Sequence, residues 1–583
     1  MMQVSSNILQ AAEGAKLVGR RYWLPVIAIA LLGACALISF WPALSAPVTA
    51  DDRYWYIETP VKFDGSYLEV VFGTLSEAPD AISAGELIRL STLGRLARRL
   101  VGLAIFDLSR STSASLVLFQ GLSKLLLLLG CVLTCLAFVR VLRWRSREDR
   151  LIALGRGSLV VVAAGLVGLL AAGVQTHQQF RNAWISYSAH TYLTVIIVFG
   201  SAAATVALAR RIANNKRGAV PLGLVVALLM AVVLNWTYEL NYLGFPLSLF
   251  ALWVFPLTER NSDHRELRAR LIFGGTFAVS WLAIFAWTRV LIAGACEGES
   301  CYVGTTPSLG SAVFRTIWYN VASSVPGSSR TQFLSDLQSL EASHLWTQGF
   351  PWPLLIVSVG LGISVWFLSR WASVRWPRDP ETRRAEGRLL GLAGLGAIGV
   401  GLGGATIMSL SVQAQELINE IGLPYRHTVL TWASLSLAAV SLVRALELLK
   451  SRRIGLISVT LLAVGVALAS AFTLPRNVVS TQAHNDSPSS RALADIYQEI
   501  FAGDLEPPAD QRRCQKLEHA ESAVRGASMK RHLGPAADEV FRMMYGLPFC
   551  STWANNFAAE AAMRFRQGDP PLSPRLPVLL DLA

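Results

Sequence analysis

Charge is scarce in this chain. Only 16% of its 583 residues are Asp, Glu, Lys or Arg, 53% are hydrophobic, and the mean hydropathy is +0.43. A soluble protein of this length could not bury that much apolar surface, because a folded surface must be largely wetted. Other absences narrow the field. There is no Gly-rich phosphate loop and no Walker motif in the short basic loops, which argues against an ATP- or nucleotide-sugar-dependent enzyme on their side of a membrane. No Cys/His cluster has metal-ligand spacing. No cleavable signal peptide is evident. The first apolar run, Trp23 to Leu44, is longer than a signal h-region and reads as a retained first helix.

What is present is a series of long apolar runs. Windows of about 20 residues predict an all-α polytopic membrane protein with about eleven transmembrane helices. They lie near 23–45, 113–139, 157–175, 191–209, 219–236, 241–257, 271–294, 352–371, 389–411, 428–448 and 454–474. Alternate loops carry the basic residues: Lys16, Arg20 and Arg21; Arg143, Arg145, Arg147 and Arg150; Arg210, Arg211, Lys216 and Arg217; Arg265, Arg268 and Arg270; Arg375 to Arg388; Lys450, Arg452 and Arg453. The positive-inside rule makes these loops cytoplasmic, with the N-terminus inside and the C-terminus outside. The net charge of +13 therefore sets topology and meets anionic lipid, and needs no nucleic acid to explain it.

The cysteines agree with that orientation. Cys296, Cys301, Cys514 and Cys550 fall in segments placed outside, whereas Cys35, Cys131 and Cys135 lie within apolar helices. In an oxidising compartment the expected pairs are Cys296–Cys301 and Cys514–Cys550, in preference to a metal site.

Soluble material is also external: residues 46–112, residues 295–351, and a tail. The expected division is a transmembrane domain over 1–474 and a small, mainly helical extracytoplasmic domain over 475–583, with helical spacing at 492–501 and 536–544. The first outer loop opens on the adjacent carboxylates Asp51 and Asp52. Two carboxylates at a membrane surface repel each other and are partly desolvated, so they bind a cation or act as a base. Further on, residues 86–106 place leucines on one side and arginines on the other, the pattern of a helix lying in the interface plane.

An inside N-terminus, one helix, Asp51-Asp52 at the head of a long outer loop with interfacial helices, many further helices and an outer soluble tail resemble the GT-C superfamily of integral-membrane glycosyltransferases. The Ala/Gly/Leu/Arg-rich composition suggests a high-GC bacterium, and there the resemblance leans toward the actinobacterial cell-wall arabinofuranosyl- and mannosyltransferases. It implies a polyprenyl-phosphate sugar donor, an envelope glycan or glycolipid acceptor, and a bacterial plasma-membrane location. It also implies inverting transfer, with Asp51 or Asp52 as general base on the acceptor hydroxyl. No cofactor is certain, and a divalent metal stays open.

Other candidates for donor or acceptor binding are weighed against plainer roles. Tyr238, Glu239 and Asn241 sit in a tight polar hairpin between two apolar runs, where an acidic group suggests function; Trp and Tyr belong at membrane interfaces anyway. His177, Arg181 and His190 in the second outer loop, Arg289, Arg315, Arg426 and His427 are cations suited to a donor phosphate, or to snorkelling toward headgroups. Two further functions remain open: a flippase or transporter of a lipid-linked precursor, suggested by the Gly-rich stretch 394–404, and a non-enzymatic envelope-assembly protein.

Overall fold

In the computed structural model the described residues are 2–45, 63, 65–83, 91–112, 116–146, 150–174, 184, 188–258, 263–294, 308–328, 352–375, 379–418, 421, 427–450, 452–485, 496, 499, 510–523, 538, 541 and 547–551. They are helical but for one short hairpin. The helices are α1 (Met2–Leu44), α2 (Tyr67–Ser83), α3 (Thr92–Thr112), α4 (Leu116–Val141), α5 (Arg156–Ala172), α6 (Ser188–Ala213), α7 (Ala219–Trp236) and α8 (Gly244–Val254). Next come α9 (Asp263–Ala269), α10 (Thr276–Gly294), α11 (Ala312–Ser323), α12 (Trp352–Arg375), α13 (Pro380–Ser409), α14 (Val412–Leu417), α15 (Thr428–Leu449), α16 (Arg452–Asn485) and α17 (Asp510–Ala523). A π-helical segment, Arg270–Gly275, joins α9 to α10. The hairpin pairs β1 (Arg143–Arg145) antiparallel with β2 (Leu151–Ala153), Trp144 opposite Ile152.

Nine helices are long and apolar enough to cross a membrane among the described residues, not eleven. The other two expected spans are helical but short. Helix α5 has 17 residues, about 26 Å, and α8 has 11, about 17 Å, against a hydrocarbon core of about 30 Å. Each shortening has a local cause. Helix α5 stops at Gly173, where a Cβ would stand 1.7 Å from Trp432 Nε1; that indole donates to the Leu169 carbonyl at 2.7 Å. Twelve of its residues are buried, so α5 is apolar all round because protein surrounds it. Helix α8 is preceded by a 3-10 turn, Glu239–Leu243. It ends where the chain becomes extended and the Leu257 and Thr258 amides donate to the Glu266 carboxylate at 3.2 and 2.9 Å.

Helices with one outward face carry apolar stripes there. On α4, Leu118, Leu122, Leu126, Leu129 and Leu133 are exposed at helical spacing, as lipid-facing residues should be. The most extensive packing joins α13 to α15, and here the Gly-rich stretch has its use. A Cβ at Gly394 would stand 3.3 Å from the Ala438 carbonyl oxygen, and one at Gly401 3.4 Å from that of Thr431. On the other side of α13, a Cβ at Gly403 would meet Leu243 at 2.5 Å. These glycines allow close helix approach, as small residues do in membrane bundles.

Polar groups pin one end of the bundle. Glu386, 1% exposed, accepts from Ser158 Oγ at 2.6 Å and from the Gly155 amide at 3.0 Å. Arg444 donates to Ser158 and Ser373 at 3.1 and 2.7 Å and pairs with Glu447 at 2.5 Å. Helix α16 runs through Pro475 to Asn485, held by Thr473 Oγ1 on the Ala172 carbonyl (2.9 Å) and Asn477 Nδ2 on that of Val174 (2.6 Å).

The chain divides into two compact units, one of residues 1–44, 75–95 and 124–480, the other of 45–74, 96–123 and 481–583. In the second, Phe63, Val70 and Leu103 form a core flanked by Leu96 and Leu100. Arg99 crosses it, 2% exposed, donating to Thr74 Oγ1 at 2.9 Å with its guanidinium 5.0 Å from the Phe63 ring centre. Helix α3 covers most of the stretch expected to be an interfacial helix, starting at Thr92 and extending to Thr112. In the tail, Cys514 and Cys550 are disulfide-bonded. Arg513 beside them donates to the Phe549 carbonyl at 2.6 Å and stacks over Phe541. Ile496, Glu499, Asp538 and Phe541, the described residues within the two stretches of helical spacing, are helical. Cys296 and Cys301 lie outside the described residues.

Candidate functional site

The hairpin after α7 is the most concentrated group of candidate residues. Helix α7 ends at Trp236, the chain turns through Thr237 and Tyr238, and the 3-10 turn follows, pressed on α13 at Gly403 by Leu243. The turn buries Asn241 completely, at 0% exposure. Its backbone amide donates to Tyr238 at 2.9 Å, yet both side-chain amide atoms lack a hydrogen-bond partner among the described residues. An enclosed amide of this kind costs about 1–3 kcal/mol and is worth explaining by what it could bind. Glu239 is half-buried beside it.

Two further expected residues meet the hairpin. The His190 ring, at the start of α6, lies edge-on to Tyr238 with centres 3.9 Å apart. Arg289, on α10, places Nη2 3.5 Å from the Tyr242 hydroxyl and its guanidinium 5.2 Å from the Phe285 ring centre. Trp236 donates to Thr288 Oγ1 at 3.3 Å and packs on Trp287. The hairpin thus meets His190 at Tyr238 and Arg289 at Tyr242, with Trp236, Trp287 and Phe285 packed beside it.

A separate run of ring contacts ties the start of α6 to the end of α1. Tyr192, one residue past Thr191 and two past His190, packs on Trp184 with centres 5.8 Å apart and donates to its carbonyl at 3.0 Å. Trp184 in turn lies 6.1 Å from Phe40. Helix α1 ends at Leu44, seven residues before Asp51. Helix α3 reaches the hairpin as well: a Cβ at Gly94 would stand 2.2 Å from the Thr237 carbonyl oxygen, so only glycine fits that contact.

Other candidates fall elsewhere. Arg315 is exposed on α11. His427 is enclosed, 1% exposed, donating from Nε2 to the Asn320 carbonyl at 2.9 Å. Asn320 donates to Ser409 Oγ at 2.6 Å. That places His427, among the described residues, in a packed joint of α11, the end of α13 and the start of α15. Asp51, Asp52, His177, Arg181 and Arg426 lie outside the described residues.

Two features were not anticipated. Lys124 is 1% exposed within the second span and donates to the Ala43 carbonyl at 3.2 Å, placing a buried ammonium at the C-terminal end of α1, where the helix dipole favours it. The signal was visible as the one lysine in an otherwise apolar run. Trp184 had no such signal, since its role is contact with residues far away in sequence. Among the described residues no group of three or more His, Cys, Asp or Glu could hold a metal ion.

The fold is that of a multi-pass, helical membrane protein with a disulfide-bonded C-terminal region. Compared with known proteins, the chain matches no family model, no curated protein and no solved structure.

Proposed function

We propose that this chain is a membrane glycosyltransferase that moves a sugar from a polyprenyl-phosphate donor to an envelope glycan or glycolipid acceptor. What supports it is the enclosed Asn241 side-chain amide, without a hydrogen-bond partner among the described residues, in a polar hairpin that meets His190 at Tyr238 and Arg289 at Tyr242. A sugar offers hydroxyls that both donate and accept, which suits an amide with both functions vacant. Aromatic rims suit sugar faces, and Arg289 suits a phosphate.

In this reading Asp51 or Asp52 takes the proton of the acceptor hydroxyl as its oxygen attacks the anomeric carbon. The bond from that carbon to the donor phosphate oxygen breaks, and polyprenyl phosphate leaves with the bonding pair, already ionised. Attack opposite the leaving group inverts the anomeric centre. The chain then sits in a bacterial plasma membrane, N-terminus cytoplasmic, with the hairpin and C-terminal region on the outer side. The Cys514–Cys550 bond supports an oxidising compartment for that region. The flippase alternative drew on the Gly-rich stretch, in which Gly394, Gly396, Gly401, Gly403 and Gly404 face packed neighbours and Gly399 faces open space.

The test is incubation of the purified protein with a panel of polyprenyl-phosphate pentoses and hexoses and an envelope glycan acceptor. Consumption of one donor with release of polyprenyl phosphate is expected. No transfer from any donor, with lipid-linked substrate moved between leaflets of proteoliposomes, would favour the flippase.

A further inference from the structure

A cavity of about 1010 Å³ opens among Trp144, Arg145, Ser146, Val254, Pro256, Glu266, Arg270 and the start of α13, none of them a candidate from the hairpin. Its charges are unevenly used. Glu266 accepts from Thr258 Oγ1 at 2.9 Å and is shared by Arg145 and Arg270, each at 3.2 Å. One carboxylate thus faces two guanidiniums. Asp379 is spent on capping α13, accepting from the Glu381 and Thr382 amides at 3.1 and 2.9 Å, and with Glu381 the lining holds three carboxylates against four guanidiniums. Arg384 and Arg388, also in the lining, stand four residues apart on one face of α13. Both are exposed, with no ionic partner among the described residues.

We propose that this cavity binds a phosphate group, held by Arg384 and Arg388 with Arg270 behind them. Forked guanidiniums are the side chains best matched to phosphate oxygens. The walls come from the ends of membrane helices: Val254 closes α8, Arg270 opens the π segment, and Arg384 and Arg388 lie in the first turns of α13. At that level the nearest phosphate is the headgroup of an anionic phospholipid, and a soluble phosphate is the other source. The proposal does not depend on glycosyl transfer.

The test uses the full-length protein in a neutral detergent and reads its melting temperature and, by native mass spectrometry, bound lipid. Phosphatidylglycerol, phosphatidylcholine and inorganic phosphate are added separately at constant ionic strength. Phosphatidylglycerol is expected to raise the melting temperature and to remain bound as one copy. The double variant Arg384→Gln/Arg388→Gln is expected to bind it about tenfold more weakly or worse, with its ligand-free melting temperature unchanged because both side chains are exposed. Arg384→Lys/Arg388→Lys keeps the charge and loses the fork, and should fall between. A shift with inorganic phosphate as well identifies the phosphate alone as sufficient; a shift with phosphatidylglycerol only identifies the lipid. No shift with either, equal binding of phosphatidylcholine, or undiminished binding by the Gln variant would overturn the proposal.

Discussion

His427 Nε2 lies 2.9 Å from the main-chain carbonyl oxygen of Asn320, 107 residues earlier in the chain. A carbonyl only accepts, so Nε2 carries the proton and the tautomer is fixed. The ring precedes the first residue of α15 and is enclosed. Burial pushes its pKa from 6.5 down to about 4, outweighing the Asn320 hydrogen bond, which raises it.

A sign follows for stability. Between pH 6.5 and 4 the unfolded chain holds a proton on this residue that the folded chain refuses. The neutral ring's stabilisation is therefore complete above the unfolded value and is lost as pH falls, at up to about 1.4 kcal/mol per unit. The melting temperature should drop between pH 7 and pH 5, and His427→Gln should flatten that drop while being less stable at pH 7. An identical pH profile in parent and variant would show that other groups carry the dependence.

Glu386 should matter more than a polar residue in a membrane protein usually does. It accepts from Ser158 and Gly155 across 228 and 231 residues of sequence, while Arg444 ties Ser158 to α12 and α15. Glu386→Ala strands an amide, a hydroxyl and part of a buried cation network, and should destabilise by about 3–5 kcal/mol. Glu386→Gln keeps an acceptor and should lose clearly less. Equal melting temperatures for Ala variant and parent would mean the network is solvated.

The disulfide gives a third expectation. Joining residues 36 apart in sequence restricts the unfolded chain by about 2–4 kcal/mol. Cys514→Ser/Cys550→Ser should speed amide exchange in α17 and around Phe549, where Arg513 and Asp538 hold the main chain at 2.6 and 2.8 Å. Exchange rates like the parent's would show those contacts suffice alone.

The spans were legible because lipid demands long apolar runs, and among the described residues each of the eleven expected segments contains a helix, nine of them long enough to cross. What the runs could not show was length. Helix α5 is cut short by Trp432 and α8 by Glu266, partners 263 and 8 or 9 residues away respectively, and apolarity says nothing of either. That α3 is helical was legible from its leucines and arginines, but its start at Thr92 was not. Of the candidate site, the hairpin could be read because polar residues interrupt apolar runs. His427 looked like a phosphate ligand for its place at a helix end, while its enclosure depends on α11, about 100 residues earlier.

Asn241 separates a binding role from a structural one. Replacing a buried amide that has no partner with an apolar side chain of similar size removes a desolvation penalty of about 1–3 kcal/mol. Asn241→Leu should therefore raise the melting temperature and lower sugar transfer, the trade expected where a site is built at the expense of stability. A fall in melting temperature would point instead to a buried water holding the amide.

The last expectation concerns the chemistry. Asp51 and Asp52 follow α1 by seven and eight residues, and Phe40 near the end of α1 packs through Trp184 on Tyr192 at the start of α6, the helix that brings His190 to the hairpin. If one of them is the base in transfer from a polyprenyl-phosphate sugar, changing its carboxylate to an amide keeps shape and much hydrogen bonding but removes basicity. Loss of a general base lowers rates by about 100- to 10,000-fold. One of Asp51→Asn and Asp52→Asn should be nearly inactive in the donor-consumption assay while melting at the parent temperature and still binding donor. Arg289→Ala should behave differently, requiring more donor with a smaller loss of maximal rate, because it removes binding to the phosphate in ground and transition states alike. Should both aspartate variants transfer sugar within a few-fold of the parent, the base must be sought at Glu239, and Glu239→Gln then becomes the decisive variant.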